Sequence, residues 1–114
     1  MPNYIKQALK EFVDESKNIL GDSLVNIILY GSYARGEQNI NGEQSDIDIM
    51  ILVNTPSDGL KELQKKILDY SFDLNLKYNI LISPIVENID VYNQRKDFMV
   101  FYKNVQKEGI LISG

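Results

Sequence analysis

The sequence predicts a fold of the α/β or α+β class, in which helices cover a small β-sheet. Three observations predict it: apolar residues at helical spacing near both ends, two apolar runs of strand length between residues 24 and 53, and a third such run after a long amphipathic stretch. The predicted order is helix, two strands, helix, strand, helix. The chain has 114 residues and no internal repeat, so we expect residues 1–114 to form a single domain.

The first half of the chain contains one helix and one strand before a polar stretch. Asn3 is placed to cap the helix and Gly21 to end it. Leu24–Tyr30 is rich in β-branched and aromatic residues, which predicts a buried strand that ends at Gly31. Residues 36–45 contain two Gly and two Asn, which predicts a loop. The apolar stripe of the helix consists of Ile5, Leu9, Phe12, Val13, Ile19 and Leu20.

The second half begins with a strand, Ile47–Val53, and Ser57 is placed to cap the helix that follows. A third strand is predicted over residues 80–86. Because Pro84 cannot donate a hydrogen bond to a neighbouring strand, this strand is expected at the edge of the sheet or at a bulge. A last helix ends at Gly109. The two helical stripes consist of Leu60, Leu63, Ile67, Tyr70, Leu74 and Tyr78, and of Phe98, Phe101, Tyr102 and Val105.

Composition excludes several kinds of chemistry. The chain has neither Cys nor His, so disulfides, thiolate catalysis, Ser-His-Asp triads and the usual zinc sites are ruled out. A net charge of -4 argues against nucleic acid as a partner, although a phosphorylated small molecule remains compatible with it. The N-terminal stretch "MPNYIKQALKEF" lacks the apolar core of a signal peptide, and no run approaches the ~20 apolar residues of a membrane span. We therefore expect a cytoplasmic protein without a membrane partner.

Two aspartates at the start of the second strand are the first candidate site residues. Side chains alternate along a strand, so Asp46 and Asp48 share one face with Met50 and Leu52. Their Cα atoms would lie roughly 6.6 Å apart, close enough for the two carboxylates to hold a pair of hard cations. Oxygen ligands without His favour Mg²⁺, which binds through one or two carboxylates and substrate phosphates. A solvated strand end is the ordinary alternative for an isolated Asp-x-Asp.

A Gly-Ser turn is the second half of the candidate site. Gly31 follows a buried strand directly, which lets the backbone turn tightly and approach a ligand, and free amides after a strand form an anion-binding concavity. Ser32 adds a hydroxyl donor, and Arg35 adds a planar cation suited to phosphate. Thirteen residues separate Ser32 from Asp46. A turn alone carries little information, but its combination with two aspartates favours a functional site over coincidence.

The stretches "GSYARG" and "SDIDIMILV" together resemble the signature of the nucleotidyltransferase superfamily that includes DNA polymerase beta, in its minimal (MNT) form. The resemblance covers the first helix, both strands and the following helix, and it implies a nucleotidyltransferase-like fold with a small mixed sheet. It also implies that Gly31 and Ser32 hold a nucleoside triphosphate, with Arg35 as either a further phosphate contact or a structural anchor. Asp46 and Asp48 would be the catalytic metal ligands, in a two-metal Mg²⁺ site.

The activity implied by this resemblance is transfer of a nucleotidyl group, with ATP as the substrate, to an acceptor hydroxyl. Minimal domains of this family are often antitoxins that add AMP to a tyrosine of a HEPN ribonuclease toxin, so the resemblance implies a toxin–antitoxin partner of that type. Active members place a third carboxylate on the next strand, whereas pattern alignment puts Leu81 there. Glu87 and Asp90 lie just beyond it and are candidates to substitute.

Two hypotheses therefore stay open from the sequence. The first is a working, metal-dependent and ATP-binding nucleotidyltransferase. The second is a catalytically weakened module that binds a nucleotide or a partner, supported by the missing third acid and by an open sheet edge at Pro84.

Overall fold

A four-stranded sheet forms the centre of the computed structural model, which describes residues 1–37 and 45–113. Five α-helices accompany the sheet in these residues, so the predicted α+β class is confirmed. The strands are β1 (Leu24–Tyr30), β2 (Ile47–Val53), β3 (Ile82–Asn88) and β4 (Ile110–Ser113). The helices are α1 (Asn3–Leu20), α2 (Ser32–Arg35), α3 (Leu60–Tyr78), α4 (Ile89–Arg95) and α5 (Val100–Glu108).

The sheet is mixed, with the strand order β3-β2-β1-β4. β1 is antiparallel to both β2 and β4, whereas β2 and β3 are parallel and are joined through α3. This topology brings the end of β1 next to the start of β2. The candidate turn and the candidate aspartates therefore meet at one end of the two inner strands, β1 and β2.

Strand β2 is buried on both faces apart from Asp48, which is half-buried. Ile47, Ile49, Ile51 and Val53 pack into a core formed with α1 and α3. On the opposite face, Met50 and Leu52 pack against residues of α4 and α5. The face that begins with Asp48 therefore becomes fully apolar farther along the strand.

The predicted caps of the two long helices are wrong. Asn3 is the first residue inside α1, because the carbonyl of Pro2 already accepts a hydrogen bond from the amide of Lys6 at 3.1 Å. Ser57 lies in a short 3₁₀ turn, Ser57–Gly59, so that α3 begins at Leu60. The predicted stop at Gly21 is confirmed, with φ +54°.

Some elements of the second half differ from the prediction. β3 spans residues 82–88 rather than 80–86, and Phe98 lies exposed before α5. The helix α4, whose start is capped by the Asn88 side chain, and the strand β4 were not predicted. Within the predicted loop 36–45, residues 38–44 lie outside the described part of the chain. None of the helices described is long and apolar enough to cross a membrane.

The edge strand β3 is not open, which corrects the hypothesis of a docking edge at Pro84. Pro84 pairs with Ile49 without a register shift, so the proline marks an edge and not a bulge. The outward backbone groups of β3 are bound by side chains of α3. Gln64 donates to the carbonyl of Pro84 at 2.9 Å and accepts from the amide of Val86 at 2.6 Å. Asn75 binds both the amide and the carbonyl of Ile82 in the same way.

We expect Gln64→Ala to destabilise the protein by about 1–2 kcal/mol, because two partly buried hydrogen bonds to the edge of β3 are lost. Urea unfolding measures this free energy. Lys65→Ala is the matched control, because Lys65 is exposed on the same helix. Equal unfolding free energies for the two variants would contradict a stabilising role of Gln64 at this edge.

Candidate active site

The candidate site lies where β1 ends beside β2. Tyr30, the last residue of β1, pairs with Asp48 across the antiparallel ladder. Gly31 comes next and has φ +76° and ψ -155°, a backbone conformation that is essentially restricted to glycine. A Cβ atom at Gly31 would also collide with the carboxylate of Asp48. Gly31 and the second aspartate are therefore close neighbours in the structure.

After Gly31 the chain forms the single turn of α2, which holds the other predicted residues of the motif. The amide of Arg35 donates to the carbonyl of Gly31 at 3.1 Å, and the amide of Glu37 donates to the carbonyl of Ser32 at 2.8 Å. Tyr33 is buried in the core beneath this turn. Ser32 is half-buried and Arg35 is exposed. Tyr33 thus anchors the turn and leaves Arg35 at the surface.

The two aspartates differ in environment. Asp46 is exposed just before β2, and Asp48 is half-buried within the strand. Burial raises the pKa of the Asp48 carboxyl above its ordinary value, and the negative charge of Asp46 raises this pKa further. Arg35 opposes these effects, and Glu108 adds to them. The charges of Asp46, Arg35 and Glu108 therefore all act on the Asp48 carboxyl.

Tyr30 is the aromatic neighbour of this site. Burial raises the pKa of its phenol to about 12, and the charge of Asp48 contributes to the shift. The ring of Phe101, in α5, meets the Tyr30 ring edge-on with centroids 5.7 Å apart. Tyr30 thus stays protonated at neutral pH and forms an apolar wall beside Asp48.

Glu108, the last residue of α5, was not predicted and lies at the centre of the site. Its Oε1 accepts hydrogen bonds from the Gly31 amide at 3.2 Å and from Nη1 of Arg35 at 3.1 Å. Glu37 accepts from Nε of the same guanidinium at 2.7 Å. Two carboxylates therefore hold Arg35. The sequence signal was Gly109 followed by a short apolar run, which marks a helix end leading into a strand.

The position expected for a third carboxylate holds no acid in the structure. In the parallel ladder Ile47 pairs with Ile82 and Asp48 pairs with Ser83, so Leu81 lies beside Asp46. Across the residues that the structure describes, no three Asp, Glu, Cys or His side chains form a group that could hold a metal ion.

The two candidates for substitution, Glu87 and Asp90, lie far from the aspartate pair. Glu87 pairs with Leu52, which places it roughly 13 Å along the strands from Asp48. Its carboxylate accepts from the hydroxyl of Tyr102 at 2.9 Å. Asp90 lies in α4, beyond that same distant end of β3. Neither residue substitutes for the missing acid in this arrangement.

Comparison with known proteins identifies the family. A family model described as "Nucleotidyltransferase domain" matches residues 5–111. Two relatives from Methanocaldococcus jannaschii are named "Putative protein adenylyltransferase". The first, MJ0604, is 38% identical over 104 residues, which are 91% of this chain and 93% of the relative. The second, MJ0141, is 46% identical over 82 residues, which are 72% of this chain and 78% of the relative. No solved structure gives a significant match.

We expect Gly31→Ala to destabilise the protein by about 2–4 kcal/mol, mainly because alanine is strained in this backbone conformation and also because its Cβ forces the Asp48 carboxylate to move. Gly36→Ala is the matched control: Gly36 also has a positive φ, +71°, but nothing lies within 4 Å of its Cβ position. That variant should lose only about 1 kcal/mol. Urea unfolding compares the two. A loss at Gly31 no larger than that at Gly36 would contradict the close contact with Asp48.

We expect Asp48→Asn to raise the melting temperature at pH 7. A carboxyl whose pKa is raised on folding costs stability as the pH rises through that pKa, and the amide removes this cost. Because Asp48 is only half-buried, the gain in unfolding free energy should be less than ~1 kcal/mol. In a domain of this size, that gain raises the melting temperature by a few degrees. Calorimetric scans should show the gain shrinking as the pH falls through the raised pKa of Asp48, and absent below pH 3.8, the ordinary pKa of Asp. The exposed Asp69→Asn is the control, and equal shifts in both variants would refute the explanation.

Proposed function

The chain belongs to the nucleotidyltransferase domain family, and we propose that it is a metal-dependent enzyme that transfers AMP from ATP to a hydroxyl acceptor. The observation that carries this proposal is the contact between the Gly31 turn and the Asp48 carboxylate. This contact places a turn suited to phosphate next to a carboxylate suited to a cation.

The proposed reaction is a displacement at the α-phosphorus of ATP. The acceptor oxygen forms a bond to this phosphorus, and the bond from phosphorus to the oxygen that bridges to the β-phosphate breaks. Pyrophosphate leaves with that oxygen, and the hydroxyl proton passes to solvent. Such a reaction depends mainly on charge stabilisation and alignment and needs no His, which agrees with the composition.

We assign Asp46 and Asp48 as the ligands of Mg²⁺, in a site for two ions. The oxygen-only donor set fits this hard cation, since Mg²⁺ usually takes one or two protein carboxylates together with substrate phosphates. The raised pKa of Asp48, caused in part by Asp46, is also consistent with a place where a cation would relieve repulsion. When bound, the ions would neutralise charge that develops on the phosphates.

Gly31, Ser32 and Arg35 are assigned to hold the triphosphate. The glycine allows the backbone to approach a phosphate, and Ser32 brings an amide and a hydroxyl at the start of α2. The planar guanidinium of Arg35 matches the geometry of phosphate oxygens. Its ion pair with Glu37 keeps it beside the turn.

The acceptor is proposed to be a hydroxyl of a partner protein, specifically a tyrosine of a HEPN-type toxin. This rests on the resemblance of the motif to antitoxin domains and on the relatives named as protein adenylyltransferases. On this proposal residues 1–114 act as one domain in the cytoplasm, as half of a toxin–antitoxin pair.

A second candidate function is a nucleotide- or partner-binding module with little catalytic power. Ser83 and Leu81 stand beside the aspartates where active relatives would carry an acid, and this observation favours the second candidate. The two candidates differ in whether AMP becomes covalently attached to an acceptor.

We expect Asp46→Asn and Asp48→Asn, singly and together, to lower Mg²⁺-dependent transfer of label from α-³²P-ATP to the purified partner at least roughly 100-fold. The cause would be loss of the cation-binding carboxylates. Asp69→Asn, at an exposed site on α3, is the control for charge removal alone. Wild-type binding of ATP without label transfer would favour the binding module, and unchanged binding in the double variant would refute the site.

A further inference from the structure

We propose that Glu108 is a built-in occupant of the phosphate site, which holds the donors of Gly31 and Arg35 in the resting protein and must leave when a polyphosphate binds them. The identity of that polyphosphate as ATP rests on the function proposed above, whereas the occupied anion site is a feature of the turn itself. Glu108 would thus act as an autoinhibitory contact.

The contacts of Glu108 are those that a phosphate oxygen would make. Its carboxylate accepts from the Gly31 amide at 3.2 Å, and both of its oxygens lie 3.1 Å from Nη1 of Arg35. A backbone amide at a glycine turn and a guanidinium are typical donors to phosphate and to carboxylate alike. One anionic side chain therefore already uses two donors that the triphosphate needs.

The sheet places Glu108 at this position. Leu29 pairs with Ile110 in the antiparallel β1–β4 ladder, so Glu108, two residues earlier, lies at the level of Gly31. Gly109 allows this close approach to β1, because a Cβ there would collide with the Ile28 side chain of β1 as well as with the carbonyl of Val105. The Glu108 side chain is only 24% exposed. Its place opposite the turn therefore follows from strand register and close packing, and not from a free surface rotamer.

The local charge balance explains why Glu108 must leave. Arg35 is already paired with Glu37 and lies within electrostatic range of Asp48, which also feels the charge of Asp46. Glu108 adds a further negative charge whose effect reaches Asp48. An incoming polyphosphate would meet this carboxylate at hydrogen-bond range, where like charges repel strongly. Displacement of Glu108 removes the repulsion and frees the Gly31 amide and the Arg35 guanidinium together.

A different role for Glu108, as the missing third metal ligand, makes the opposite prediction. A ligand of that kind would strengthen binding of the Mg²⁺–ATP complex, so its removal would weaken binding. The arrangement of the acids argues against it, because the described residues, Glu108 included, contain no trio suited to a metal ion. The sign of the effect on binding separates the two roles.

The test is calorimetric binding of inorganic tripolyphosphate without divalent metal to the wild type, Glu108→Ala, Glu108→Gln and Glu37→Ala. Loss of the Glu108 carboxylate should tighten binding about tenfold, the effect of one charge-assisted hydrogen bond. Glu108→Gln keeps the shape, removes the charge and should tighten binding less. Glu37→Ala is the matched control, since Glu37 contacts Arg35 but leaves the Gly31 amide covered by Glu108.

An equal gain in Glu37→Ala, an unchanged or weaker affinity in both Glu108 variants, or no binding by any variant would overturn the proposal. Label transfer from Mg²⁺–ATP is measured in parallel to keep the proposed function separate. Tighter tripolyphosphate binding by Glu108→Ala without any label transfer would support Glu108 as the occupant of the phosphate site and refute the proposed transferase activity. Label transfer by the wild type with weaker Mg²⁺–ATP binding in Glu108→Ala would support the enzyme and overturn the occupant in favour of a metal ligand.

Discussion

The close approach of Gly31 to Asp48 is the constraint on which the candidate site depends. The antiparallel pairing of Tyr30 with Asp48 brings together two segments that are separated by a long polar stretch. Glycine is needed at residue 31 for two independent reasons, its positive φ and the lack of room beside the carboxylate. The backbone conformation of Gly31 and its close packing against Asp48 together fix the position of the turn relative to the carboxylate.

The buried strand β2 explains how an acid can stay beside an apolar core. Ile47 and Ile49 pack on one face and Met50 on the other, so Asp48 is held by rigid neighbours and loses part of its hydration. The cost appears as a raised pKa, and solvent at the strand end limits that cost. The structure keeps Asp48 partly buried and close enough to Asp46 to be repelled by it. Such an unfavourable arrangement is typical of a binding site, where a ligand relieves it, rather than of a position selected for stability alone.

Local patterns predicted the elements that lie on either side of the motif, and long-range pairing decided the rest. Spacing of apolar residues sufficed for β1, β2 and the helices α1 and α3, since each buries a regular face. Gly109 and the apolar run after it mark the end of the last helix, but only the pairing of β4 with β1 places Glu108 opposite Gly31. The closed edge at Pro84 likewise depends on Gln64 and Asn75, whose side chains form hydrogen bonds to the backbone of β3. The spacing of apolar residues cannot predict hydrogen bonds of this kind.

The charges of the site constrain how a nucleotide can enter it. Asp46 and Glu108 both act on Asp48, and Glu108 pairs with Arg35, so a triphosphate without metal would add negative charge to an already acidic place. On the proposed function, divalent cations therefore strengthen ATP binding, because they compensate the aspartates and the phosphates at once. Tripolyphosphate without metal binds more weakly and competes with Glu108 for the same two donors. The same cations lower the cost of moving phosphate oxygens onto the Gly31 amide. Release of Glu108 is then an exchange of anions, in which a substrate anion replaces an anion of the protein, and cation binding at the aspartates adds to its free energy.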